Sequence, residues 1–117
     1  MPARIKNVDG QATVCIFDIW FNNVCSFPGA TILDMYDYLT PLLKKKPSNV
    51  ILQVCTNDAP YKSSDNIVQE LLNLKEKVQH ILPNAKVFLS TPTLRFDNGL
   101  ANSILREVTN KLRELFD

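Results

Sequence analysis

The sequence predicts an α/β domain with a mainly parallel sheet and helices on both of its faces. Three observations carry that expectation. Short runs rich in β-branched and aromatic residues alternate with longer stretches of helical periodicity, turn residues separate the two kinds, and residues 50–55 are apolar almost throughout. Strands alternating with helices are the pattern of a parallel sheet. A nearly continuous apolar strand reads as one covered on both faces.

Residues 1–11 are polar and open the chain as a loose lead-in. Residues 13–21 are rich in Val, Ile, Phe and Trp and read as a buried strand. Asn22-Asn23 reads as a turn and residues 24–27 as a second short strand, before Pro28-Gly29-Ala30 breaks the pattern. A helix follows, with Thr31 and Asp34 spaced as an acidic capping box. Ile32, Met35, Tyr36, Leu39, Leu42 and Leu43 recur at helical spacing, and Lys44-Lys45-Lys46 and Pro47 end the helix. After the strand at 50–55, Ser63 or Ser64 can cap a helix carrying Ile67, Leu71, Leu74, Val78 and Ile81 along one stripe. Residues 86–90 read as a strand. A loop holding Pro92, Arg95 and Asn98-Gly99 leads to a last helix with Ile104, Leu105, Val108, Leu112 and Leu115 on one side. The order is that of a three-layer, flavodoxin-like domain with about three to five strands.

Composition narrows the function classes. At 117 residues and 45% hydrophobic content, the chain suits one domain spanning 1–117. Thirteen Lys+Arg against twelve Asp+Glu leave a net charge of +1, so no global field draws nucleic acid or an anionic membrane. The Lys44–Lys46 run suits the negative end of a helix dipole and a solvated final turn. Cys15, Cys25 and Cys55 form no CxxC spacing and sit in apolar runs, which favours a reducing compartment and a cytoplasmic location. No secretory leader is visible, and no apolar run approaches the length of about 18 residues that a membrane span needs. With His80 as the sole histidine and no Cys/His cluster, no metal or cofactor is expected. Gly10, Gly29 and Gly99 are the only glycines, too few for a Gly-rich nucleotide fingerprint.

In open α/β sheets, ligands bind outside the carboxyl ends of the strands, which directs attention to loops 28–31, 56–63 and 91–100. Gly29 precedes a helix, so its backbone N–H is a candidate anion donor. Asn57 carries an amide able to donate to a developing oxyanion. Asp58 can order its loop by accepting backbone N–H groups. Each of the three also reads as an ordinary turn residue. Cys55 is the one strong nucleophile nearby, but no base accompanies it, so a buried, inert thiol is the better reading. Ser26, Ser90 and Thr91 lack an activator as well. Asp58 and Asp97 are candidates for a weak shared cation site, though Asp at such positions more often caps a turn. His80 sits at the far end of its helix, about 24 Å from the Asn57 loop, beyond the reach of a general base.

Phe27-Pro28-Gly29-Ala30-Thr31, an amphipathic helix, and then Val50-Ile51-Leu52-Gln53-Val54-Cys55-Thr56-Asn57-Asp58 resemble the middle of an SGNH hydrolase, the GDSL esterase/lipase family. The segment from Val87 to Arg95 with its following helix resembles the family's next unit, and the resemblance covers about residues 24–116. It implies an oxyanion hole contributed by Gly29 and Asn57, with Asp58 ordering the loop. Cys55, Thr56, Thr91 and Arg95 would then line the crevice. The sequence departs from the family in three places. No Gly-Asp-Ser block is present, and at its nearest counterpart, Phe17-Asp18-Ile19, Ile19 stands where the family has the nucleophilic Ser. The Asp-x-x-His block is missing, and Cys55 occupies the Gly of the third block.

What the resemblance implies is therefore a scaffold that keeps part of an oxyanion hole and takes a small acyl-ester-like ligand without hydrolysing it. Two other readings stand beside it. One is a non-catalytic ligand- or protein-binding module. The other is an esterase completed by another chain, for which exposed apolar faces would support a homo-oligomer.

Overall fold

The computed structural model describes residues 11–59, 61–92 and 99–116. Within them the order is β1 (Gln11–Phe17), β2 (Asn22–Pro28), α1 (Met35–Leu43), β3 (Asn49–Gln53), α2 (Ser64–Ile81), β4 (Lys86–Leu89) and α3 (Gly99–Phe116). The strands form one sheet in the order β2-β1-β3-β4.

An α/β architecture with a four-stranded mixed sheet and three helices is present. The mainly parallel sheet is not. β1 pairs antiparallel with both β2 and β3, and only β3 and β4 pair in parallel. The cause is the short link between β1 and β2. Residues 18–21 are too few for the crossover that a parallel pair requires, so the chain folds back as a hairpin. Asp18 builds the turn: its carboxylate accepts the Trp20 amide at 2.7 Å, and its own N–H reaches the Phe21 carbonyl at 3.0 Å. Ile19 and Trp20 form the tip of this hairpin, 88% and 84% exposed. Asn22-Asn23, expected as the turn, instead opens β2, with Asn22 opposite Phe17 and Asn23 opposite Ile16.

β1 is antiparallel to both its neighbours, so β2 runs in the same direction as β3 and β4. Three of the four strands thus end at one edge of the sheet, at Pro28, Gln53 and Leu89, while β1 ends at the other.

Period-two burial gives the layers. Ala12, Val14 and Ile16 of β1 and Val50 and Leu52 of β3 are buried, with Val14 level with Cys25 on one side and Leu52 on the other. These residues share one core with Ile32, Met35 and Leu39, with Ile67, Leu71 and Leu74 of α2, and with Leu105 and Val108 of α3. On the opposite face the row Val24, Cys15, Ile51, Phe88 is half-buried to exposed. Among the described residues the fold therefore has two layers, not three. Ile51 is half-buried and stands outside the core that the helices share, so among the described residues the double coverage expected of the 50–55 run is not seen.

The helices follow from local rules. Thr31 and Asp34 exchange hydrogen bonds, the Thr31 N–H donating to the Asp34 carboxylate at 3.0 Å and the Asp34 N–H to Thr31 Oγ1 at 3.4 Å. This is the capping-box exchange with Asp in place of Glu, closing the turn that leads into α1. Pro41, inside α1, cannot donate to the Asp37 carbonyl, and the helix ends two residues later. Phe27 stacks on Tyr38 at 4.9 Å between ring centroids, tying β2 to α1. Ser63 caps α2 by accepting the Asn66 N–H at 3.2 Å. The α2 stripe lies in the core through Ile67, Leu71, Leu74 and Val78, each contributing about 1.5–3 kcal/mol by burial. Ile81, at its end, stays 46% exposed. In α3, Ala101, Leu105, Val108 and Leu112 are buried and Leu115 is exposed. Ser64 links the two helices, donating to Glu107 and accepting from Lys111, both at 2.9 Å, and Lys111 also pairs with Asp65. No helix among the described residues is long and apolar enough to cross a membrane.

Candidate functional site

The candidate site lies where β2 and β3 end, and it is built by two loops that brace one another. Gly29 follows β2 with φ +79°, a left-handed conformation that L side chains rarely adopt. It turns the chain so that the Ala30 N–H closes on the Phe27 carbonyl at 3.2 Å. Gly29 is exposed, and a Cβ built there would meet nothing within 4 Å. Open space therefore lies in front of this backbone.

From the other side comes the loop after β3. Cys55 leaves the strand at φ 106°, a strained backbone for a residue with a side chain, and its carbonyl accepts the Asp58 N–H at 2.9 Å. Asn57 Nδ2 donates to the Ala30 carbonyl at 2.8 Å. Asp58 is fully buried, and its Oδ2 accepts the Ile32 N–H at 3.1 Å. Two consecutive side chains thus reach two backbone groups of the β2–α1 loop. This puts the Asn57 amide beside Gly29 at a single sheet edge.

Lys62 completes the arrangement, its ammonium lying 2.7 Å from both the Asp58 and Glu70 carboxylates. Burial pushes the Asp58 carboxyl above the ordinary carboxylate range, although Lys62 and the Ile32 amide both pull it down. Burial pulls the Lys62 ammonium down, but its bonds to Asp58 and Glu70 outweigh that and leave it raised. Neither Lys62 nor Glu70 stands out from the sequence by motif. The one signal is the i, i+4 spacing of Asp58 and Lys62.

The structure places the other sequence-derived candidates as follows. Cys55 is buried, and burial, with the Asp58 charge adding to it, pushes its thiol far above the ordinary range, so it does not supply a thiolate. Thr56 is buried beside it. Thr91 is exposed and joined to the edge through its carbonyl, which accepts Gln53 Nε2 at 3.2 Å. Arg95 and Asp97 lie outside the described residues. Ser90 Oγ donates to the Thr91 carbonyl at 3.4 Å, and Ser26 is exposed on β2.

Phe17-Asp18-Ile19 is at the wrong edge. Phe17 pairs with Asn49, the first residue of β3, so the hairpin tip and the Asn57 loop sit at opposite ends of the sheet. His80, exposed in the last turn of α2, lies at the end away from Ser63. Among the described residues no imidazole or hydroxyl–base pair lies beside Gly29 and Asn57. No group of three His, Cys, Asp or Glu is placed to hold a metal ion there or elsewhere among those residues. Among the described residues beside Gly29 and Asn57, no hydroxyl is paired with a base and the Cys55 thiol is buried. Comparison with protein-family models and with curated proteins finds no match to this chain.

Proposed function

We propose that the chain is an SGNH-like domain that binds a small acyl-ester-like ligand, or another ligand bearing a carbonyl or carboxylate oxygen, without hydrolysing it. One observation carries the reading: the Asn57 amide is fixed against Ala30 at 2.8 Å, next to the left-handed Gly29 and open space. That is the pair of donors the family resemblance implies for an oxyanion hole. A preorganised donor pair binds an oxygen whether or not a nucleophile is present. The absence of hydrolysis rests on Ile19, which carries no nucleophilic atom and lies at the far edge, and on the lack of any imidazole or base-paired hydroxyl beside Asn57 among the described residues. Free Cys15, Cys25 and Cys55 suit a reducing, cytoplasmic setting.

The test uses the pure chain with a short-chain chromogenic acyl ester and, separately, with sodium butyrate followed by amide chemical shifts. The expected result is ester turnover no faster than buffer, together with butyrate-dependent shifts at Gly29 and at the Asn57 side chain that vanish in Asn57→Ala. Turnover above background that is lost in Asn57→Ala would establish an active esterase instead. Butyrate shifts absent from both residues would remove the ligand-binding reading.

A further inference from the structure

β4 is the last strand of the sheet, and no strand lies on its outer side among the described residues. The Lys86 N–H donates to the Ser48 carbonyl at 2.9 Å and the Ser90 N–H to the Leu52 carbonyl at 2.8 Å, both toward β3. The period of two then turns the N–H and C=O groups of Val87 and Leu89 outward. Open edges are usually blunted by proline, an inward charge, a bulge or a covering segment. At Val87 and Leu89 none of these is present among the described residues; both residues are apolar and half-buried.

A groove of about 340 Å³ runs along this edge. Val87 and Leu89 line it from the helix-facing side of β4 and Phe88 lines it from the other, so the groove straddles the strand edge. Leu112 and Phe116 of α3 form its apolar far wall. Two cations also line it. Lys75 lies 5.9 Å from the centre of the Phe116 ring, and Arg113 is exposed. Among the described residues no carboxylate pairs with either. The groove thus offers a line of backbone donors and acceptors, an apolar trough and two uncompensated positive charges.

We propose that this groove binds an extended acidic peptide segment of a partner protein, which adds as a further strand beside β4. Its main chain pairs with Val87 and Leu89, its carboxylates project on the helix-facing side toward Lys75 and Arg113, and its alternate apolar side chains project on the other side beside the exposed Phe88. Main-chain pairing supplies affinity in such strand addition, and the alternate side chains supply selectivity. The charge argues for an acidic partner over a second copy of this chain. Two copies joined edge to edge about a two-fold axis would bring both sets of Lys75 and Arg113 into one groove with no carboxylate among its described lining residues.

The experiment titrates the isotope-labelled full chain with the capped hexapeptide Val-Glu-Val-Glu-Val-Glu and with its counterpart carrying Gln for Glu. The expected result is a shift and slowed hydrogen exchange at the Val87 and Leu89 amides with the acidic peptide, weakening as salt rises. Affinity should fall about tenfold for the Gln peptide and for Arg113→Glu. Val87→Pro removes an outward N–H while sparing the ladder to β3, and should abolish binding. If Val87→Pro fails to fold, the exposed Arg113→Glu still decides the matter. Equal binding of the two peptides, or no shift at Val87 and Leu89, overturns the proposal. So does a peptide-free chain that sediments as a dimer through this edge.

Discussion

The buried Asp58 carboxylate accepts the backbone N–H of Ile32 at 3.1 Å, joining two loops 26 residues apart in sequence. With Asn57 on Ala30 beside it, this bond fixes the distance between the β2–α1 and β3–α2 loops. Asp58→Ala would leave the Ile32 amide without its partner and Lys62 with Glu70 alone. A loss of about 2–4 kcal/mol is expected, measured as a fall in the urea midpoint at unchanged slope. Asp58→Asn should cost less, because its amide oxygen can still accept from Ile32.

The same carboxyl predicts an unusual pH response. Burial holds Asp58 above its ordinary value of 3.8, so the folded protein binds this proton more tightly than the unfolded chain does. Its contribution to stability is therefore greatest below 3.8 and declines as pH rises from there through the raised folded value. A salt-bridged carboxylate with a lowered value behaves in the opposite way. The stability difference between the native chain and Asp58→Asn, followed by urea unfolding across the acid range, should move against the native chain as pH rises. A difference moving the other way would show that Lys62 dominates over burial.

Cys55 makes a second backbone prediction. A side chain held at φ 106° stores about 1–3 kcal/mol of strain. Cys55→Gly releases that strain but empties a buried position, and the two effects should leave stability within about 1 kcal/mol of the starting value. Cys55→Val adds β-branching where the backbone tolerates it least, and should cost about 3 kcal/mol or more. Thermal unfolding of the two variants side by side checks the contrast.

Gly29 isolates the backbone term. Because a Cβ there meets no atom within 4 Å, Gly29→Ala carries no clash, only the left-handed φ. A loss of about 1 kcal/mol is expected from urea unfolding. A much larger loss would mean that the turn itself rearranges.

The helices were legible because their buried residues recur at helical spacing and their caps are local. Ser63 and the Thr31–Asp34 pair bond as neighbours in sequence. Strand direction was harder to read. The apolar run at 13–21, read as one buried strand, ends at Phe17, because Asp18 starts the turn and the short link at 18–21 permits only a hairpin. An apolar run at 50–55 likewise does not reveal that Ile51 faces away from the core the helices share. For the site, sequence order gave Gly29, Asn57 and Asp58. The Lys62–Glu70 pairing and the bond to Ile32 depend on loops that meet only after folding. The groove beside β4 left no trace in the sequence, because it combines a strand edge with residues of α2 and α3 that are distant in the chain.

The hairpin tip has a practical consequence for every measurement above. Trp20 is the only tryptophan, and at 84% exposure its indole already sits in water in the folded protein. Its emission should resemble that of the unfolded chain, so intrinsic fluorescence will report the mobility and contacts of the tip and largely miss the collapse of the core. Far-ultraviolet circular dichroism, which follows α2 and α3, is the signal that tracks unfolding. Quenching of Trp20 is better reserved for detecting whatever touches the end of the sheet opposite Asn57.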